Sequence, residues 1–285
     1  MPAFERELLE AVRDAYRVFP PLPRIGPWLR VCPCCVSDEA VGELVRTPRE
    51  CLTGEALAAY LGSAHDCDEI ALREFRHFLP RVLELIAQDR EIGPVSLECA
   101  LQRLGPGPED WPQADYRLRW SAREIAALDA FFRAYWLKTL HAPTSILRHS
   151  ETGEWLFDGH RAEEALCMIA RAGGDLDEML ALWDACDAPS ADYHLASLVA
   201  SATVHAWTAV ARSLDKGARG DAHWDCAPDC ERRVVRFLLR PAICARLTDA
   251  FTEAPENSPQ AQALAAAHDE VERALLLAAP RAFRA

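Results

Sequence analysis

Apolar residues in this chain recur at intervals of three and four, the period of a helix with one buried stripe. In the first segment Phe4, Leu8, Leu9, Val12, Tyr16 and Phe19 fall on one side, with Glu and Arg opposite. Pro20, Pro21, Pro23 and Pro27 then impose an extended passage, because proline fixes its own φ and restricts the residue before it. Ser37 is placed to cap a helix over DEAVGELVR, whose Asp38 and Glu39 suit the positive end of the helix dipole, and Thr53 to cap GEALAAYLG. DEIALREFRHFLPRVLELIAQD predicts a longer helix, kinked or split by Pro80, and SLECALQRLG a short one.

The Gly/Pro passage GPGPEDWPQ, Gly105 to Gln113, marks a candidate boundary between helical subdomains 1–105 and 114–285. The first offers few aromatics to bury, so one shared core is expected. Beyond it, Ser121 and Glu124 have capping-box spacing, and Phe131, Phe132, Tyr135 and Trp136 load the following helix for the core. His141 to Gly159 reads as irregular. HRAEEALCMIARA is stopped by Gly173-Gly174, and LDEMLALWDAC is capped by Asp175 with Glu178 three residues on. ADYHLASLVASATVHAWTAVARS, DCERRVVRFLLR, PAICARLTDAFTEA and PQAQALAAAHDEVERALLLAA complete the helical pattern. Alternating strand periodicity is absent apart from a short possibility at WLRV. The expected class is all-α, an orthogonal or solenoid-like array of antiparallel helix pairs.

Composition narrows the partners. The formal net charge of −13 is shared by both halves of the chain, so neither can neutralise a phosphate backbone by bulk charge, and nucleic acid is not the expected partner. No apolar run is long enough for a membrane span, and the N-terminus lacks the basic and apolar regions of a secretory signal. The expected location is the cytoplasm, where the 11 cysteines stay thiols; their odd number also forbids complete pairing within one chain. Lys138 and Lys216 are the sole lysines beside many arginines and alanines, a bias that points to a bacterial, high-GC genome.

The chemistry concentrates in LRVCPCCVSDEAV, where Cys32, Cys34 and Cys35 fall within four residues. Cys32 and Cys35 form a CxxC, the chelating half of a zinc site; the second half would come from His65 and Cys67, from His77, or from Cys226 and Cys230. CPCC also resembles the CPxC of thioredoxin-like proteins, though the βαβ pattern that positions that motif is missing. The third reading, the commonest fate of free thiols, is packing among small residues in the core.

CPCCVSDEA, followed some way on by FRHFLPRVLEL, resembles a family of bacterial helical proteins. Its members share a helical N-terminus, a CxxCV motif, a DFRHFLPR-like stretch and a Trp-rich helical remainder, and no activity is established for them. The resemblance covers residues 4–90 and departs at LGSAHDCDEIALRE, where a Thr/Trp-containing turn is expected. It implies a fold and a motif, and no function.

Two polar faces remain. Glu69, Arg73, His77 and Arg81 share one side of the long helix, expected to be a solvated ion-pair face. Were that face instead packed against the cysteine turn, Arg76 or His77 would stand near the thiols. Arg232, Arg236 and Arg240, with Arg233 beside them, make the one basic stripe, suited to the protein's own acids or to an acidic partner segment or a carboxylate or phosphate. Familiar enzyme signatures fail. Glu74-x-x-His77 is a single Glu-x-x-His where a di-iron bundle needs two. His65-Asp66 has no histidine upstream, and His268-Asp269 no aspartate downstream. The expectation is therefore a binding or accessory protein that works on another protein, with zinc at the cysteine turn; the alternative is a thiol- or metal-dependent enzyme using Cys32 and Cys35.

Overall fold

The computed structural model describes residues 2–22, 29–63, 69–93, 95–106, 115–148, 153, 155–158, 160–201 and 228–278. It is 73% helical, with one two-stranded sheet among the described residues, which makes the fold all-α. No described helix is long and apolar enough to cross a membrane.

The chain divides into two compact units, one of Met1–Lys138 with Met168–Asp175, the other of Thr139–Cys167 with Leu176–Ala285. In the first, α1 (Ala3–Val18) packs on α4 (Glu69–Ala87), and α2 (Asp38–Arg46) and α3 (Gly54–Leu61) follow one another beside it. Local capping starts these helices as their sequences predict. Ser37 Oγ accepts from the Ala40 N–H at 3.2 Å and Thr53 Oγ1 from that of Ala56 at 3.1 Å. After the short α5 (Tyr116–Arg119), α6 (Ala122–His141) opens with the Ser121–Glu124 box formed in both directions, at 2.8 and 3.3 Å. Phe131, Phe132, Tyr135 and Trp136 are all buried.

Three local expectations are corrected and one is narrowed. Pro80 does not split α4, which runs unbroken to Ala87. SLECALQRLG forms two 3₁₀ turns, Leu97–Cys99 and Gln102–Leu104. The described part of WLRV, Leu29 to Val31, is not a strand: Arg30 and Val31 bend, with the Val31 N–H turned back on the Leu29 carbonyl at 2.9 Å. Leu9 lies off the buried stripe of α1 at 46% exposure, while Leu8, Ala11, Val12 and Ala15 are buried.

In the second unit the stretch read as irregular holds a hairpin, β1 (Ser145–Arg148) antiparallel to β2 (Trp155–Asp158), with Ile146 opposite Phe157. Gly153, at φ +71°, takes the left-handed backbone in its connection. Helix α7 (His160–Arg171) begins in this unit, its residues from Met168 belonging to the first, and α8 (Leu176–Ala185) and α9 (Pro189–Ser201) follow. α10 (Pro228–Leu238), α11 (Pro241–Glu253) and α12 (Pro259–Ala278) close the chain, with α11 and α12 packed on each other and on α9. Gly173, at φ +80°, ends α7 as a C-terminal glycine should.

Candidate functional site

The cysteine turn is built on one helical turn. The Cys32 carbonyl accepts the N–H groups of Cys35 at 2.9 Å and Val36 at 3.1 Å. Cys32 thus occupies the capping position and Pro33 the first helical one, where its missing N–H costs nothing. From a capping position a side chain meets the amides two and three residues on. The Cys34 amide first, and the Cys35 side chain next, hold the Cys32 thiol below its ordinary range, and burial opposes them.

Buried apolar residues anchor the turn on either side, Leu29 at 6% and Val36 at 4% exposure, and the thiols of Cys34 and Cys35 stand exposed between them. Packing into a core is therefore not the role of these two cysteines, nor of the exposed Cys51; among the described cysteines, Cys167 and Cys186 are buried.

The approach to the turn is held by α4. The Leu22 N–H donates to His77 Nδ1 at 3.1 Å, and the Arg30 N–H to Glu74 Oε2 at 2.9 Å. The solvated face expected on α4 is thus corrected over its C-terminal part. Glu69 and Arg73 are exposed, whereas Glu74, His77 and Arg81 are 4%, 6% and 9% exposed. Buried guanidinium groups close the surroundings by donating to backbone carbonyls. Arg49 reaches the carbonyls of Phe19 (2.7 Å), Tyr16 (3.4 Å) and His77 (3.4 Å). Arg81 reaches that of Leu52 at 2.8 Å, and Arg103 those of Tyr60, Leu61 and Ser63. Burial, and next the Arg49 charge, push the His77 imidazole from 6.5 down to about 4. Arg76 is engaged with Glu124 at 3.2 Å and lies over the Trp120 ring at 4.6 Å.

His65, Cys67 and Cys226 lie outside the described residues, as do positions 107–113 of the Gly/Pro passage. Among the described residues neither Cys32 nor Cys35 belongs to a trio of potential ligand atoms within 4.8 Å; the one such trio is His268, Asp269 and Glu272 on α12, its acids exposed. Cys230 is half-buried on α10, its thiol raised by burial first.

The basic stripe borders a groove of about 390 Å³ between α8 and α10. Asp177, Leu180, Ala181 and Asp184 face it from α8, and Arg233, Arg236, Phe237 and Arg240 from the other side, both sets at helical spacing 0, 3, 4, 7. Arg233 pairs with Asp177 at 2.5 Å and Arg240 with Asp184 at 2.8 Å, while Arg232 pairs with Asp229 on its own helix. Arg236 lies between them, exposed and without an ion-pair partner among the described residues.

Two further features carry no sequence signal. Leu8, Leu9, Val12, Tyr16, Glu84 and Lys138 contribute to an apolar groove of about 480 Å³ in the first unit. In the second, His194 is 1% exposed, with Nε2 3.0 Å from the Ala142 carbonyl. Comparison with models of known families, with curated proteins and with solved structures finds no match for this chain.

Proposed function

We propose that this is a cytoplasmic helical binding or accessory protein whose cysteine turn holds zinc through Cys32 and Cys35. The observation that carries the reading is the turn closed on the Cys32 carbonyl, which presents exposed Cys34 and Cys35 beside a Cys32 thiol held below its ordinary range. Amide donors stabilise a thiolate, the form a metal requires, before any ion arrives. Two sulfurs separated by two residues converge on one ion, and the remaining ligands would come from His65 and Cys67 or from a partner. The groove of α8 and α10 supports the binding side of the proposal, with Arg236 available to a carboxylate of an acidic segment on another protein.

The test is metal content of protein purified under reducing conditions without chelator. Zinc near one per chain is expected, lost in Cys32→Ser and Cys35→Ser and largely kept in Cys34→Ser. Binding should weaken as pH falls, because each thiolate must give up its metal to a proton. Equal loss in all three variants, or no zinc at any pH, would sink the metal reading.

The lowered Cys32 thiol also supports a second reading. In thiol–disulfide exchange the Cys32 thiolate would attack a partner protein's disulfide and expel one partner sulfur as thiolate. Cys35, deprotonated, would then displace the second, leaving a Cys32–Cys35 disulfide and a partner dithiol with the two electrons. Metal-free protein whose Cys32 and Cys35 oxidise reversibly near cytosolic potentials would favour this course over zinc.

A further inference from the structure

We propose that α1 is a self-association surface: two copies of this chain pair their α1 helices antiparallel at the groove that Leu9 lines, with Glu5 of each copy facing Arg13 of the other.

Most of the groove of about 480 Å³ is already satisfied within the chain. Leu8 and Val12 line it from buried positions, at 3% and 7% exposure, while Leu9 stands open at 46%. On the opposite wall Glu84 accepts from the Tyr16 hydroxyl at 2.8 Å and from Arg81 at 2.6 Å. Lys138 donates to the Ala87 carbonyl at 2.7 Å and to Asp89 at 2.6 Å. Two charged residues of the lining remain, Glu5 and Arg13, both exposed and neither ion-paired among the described residues.

These two lie four residues to either side of Leu9, the spacing that keeps side chains on one helical face. A Glu–Leu–Arg pattern at i−4, i and i+4 is its own complement, because reversing the helix about Leu9 exchanges the acid with the base. A two-fold axis beside Leu9 brings the two leucines together and makes the Glu5–Arg13 contact twice, as an isologous interface requires. The same reversal opposes no like charges: Arg6, Glu7, Glu10 and Asp14 all fall opposite uncharged residues.

That charge pattern selects the occupant. A segment of one sign would meet either Glu5 or Arg13 and repel the other, whereas a second copy meets both. One helix face and its groove make a small interface, so the pair is weak and reversible. Each copy also carries a net charge of −13, which opposes approach over long distances. At about 150 mM salt the screening length is about 8 Å, and the charges in contact dominate.

The test is sedimentation velocity of the full chain at that salt, from low to high micromolar concentration. Reductant and chelator are present so that neither a disulfide nor a metal joins two chains. Wild type should exchange reversibly between monomer and dimer. Leu9→Gln should weaken the dimer at least about tenfold. Glu5→Arg sets Arg against Arg, and Arg13→Glu sets Glu against Glu, so each should also weaken it at least about tenfold. An equimolar mixture of those two variants recovers both contacts and should pair within about threefold of wild type. The three positions are exposed, and recovery on mixing shows directly that the variants are folded.

A wild-type chain that stays monomeric at every concentration overturns the proposal. A dimer untouched by Leu9→Gln or by the two reversals overturns it as well. Reversals that weaken the dimer while their mixture stays monomeric exclude the antiparallel register and overturn it too.

Discussion

Single side chains of the first unit do work that a residue's type does not announce. Arg49, Arg81 and Arg103, all at most 9% exposed, donate to carbonyls of loops and helix ends rather than presenting charge to water. His77 is the counterpart acceptor. Its Nδ1 receives the Leu22 N–H, which requires the neutral ring, and the charged groups acting on it are Arg49, which lowers its pKa, and Glu50, which opposes more weakly. Because the folded pKa, about 4, lies below the ordinary 6.5, the unfolded chain takes up this proton first as pH falls. The contribution of His77 to stability is full above about pH 6.5 and lost as pH falls towards about 4. Urea titrations at a series of pH values should show that loss in wild type. His77→Asn, which keeps an acceptor and cannot titrate, should lose less stability over the same window while the carboxylates contribute equally to both. Parallel curves would show that His77 is not the group responsible.

At the scale of elements, what the sequence disclosed was local and what it concealed was long-range. The caps at Ser37, Thr53 and Ser121 were legible because donor and acceptor lie three residues apart. The cysteine turn was legible in place and spacing, and Pro33 after Cys32 marks the first helical position. Its exposure was not, since that depends on the burial of Leu29 and Val36 in the folded chain. The burial of His77 was hidden for the same reason, its donor being 55 residues away in sequence. The strands of the hairpin, four residues each, are too short for alternation to stand out.

Two glycines turn this contrast into a prediction. Gly42 and Gly54 both lie in helices, where alanine is normally favoured by roughly 1 kcal/mol. At Gly42 an added Cβ meets only the end of the Arg46 side chain, at 2.9 Å, which can swing away. Gly42→Ala should therefore raise stability by about 0.5–1 kcal/mol. At Gly54 the same atom would stand 2.1 Å from the Glu91 carbonyl oxygen, against backbone. Gly54→Ala should lower stability by about 1–3 kcal/mol despite the better propensity. Urea midpoints measure both; a rise in Gly54→Ala as well would mean that the close approach at Glu91 is not held in solution.

For the whole molecule the dominant quantity is the net charge of −13, and it acts against the local chemistry of the α8–α10 groove. An acidic segment drawn to Arg236 must first approach a chain that repels it. Which effect wins depends on range. At about 10 mM salt the screening length is about 30 Å, so the charge of the whole chain is felt; at about 150 mM it is about 8 Å, and the groove's own charges dominate at contact. The usual ionic interface weakens with salt, but here the association rate of an acidic peptide should rise between these two concentrations, because screening removes the repulsion before it reaches the attraction. Arg236→Glu should slow association and speed dissociation at both, since it replaces the groove's unpaired cation with an anion. Stopped-flow fluorescence with a labelled Glu-rich peptide measures the rates. A rate that falls steadily with salt in wild type would mean that a local basic field outweighs the chain's net charge, and equal kinetics in Arg236→Glu would remove the groove as the docking surface.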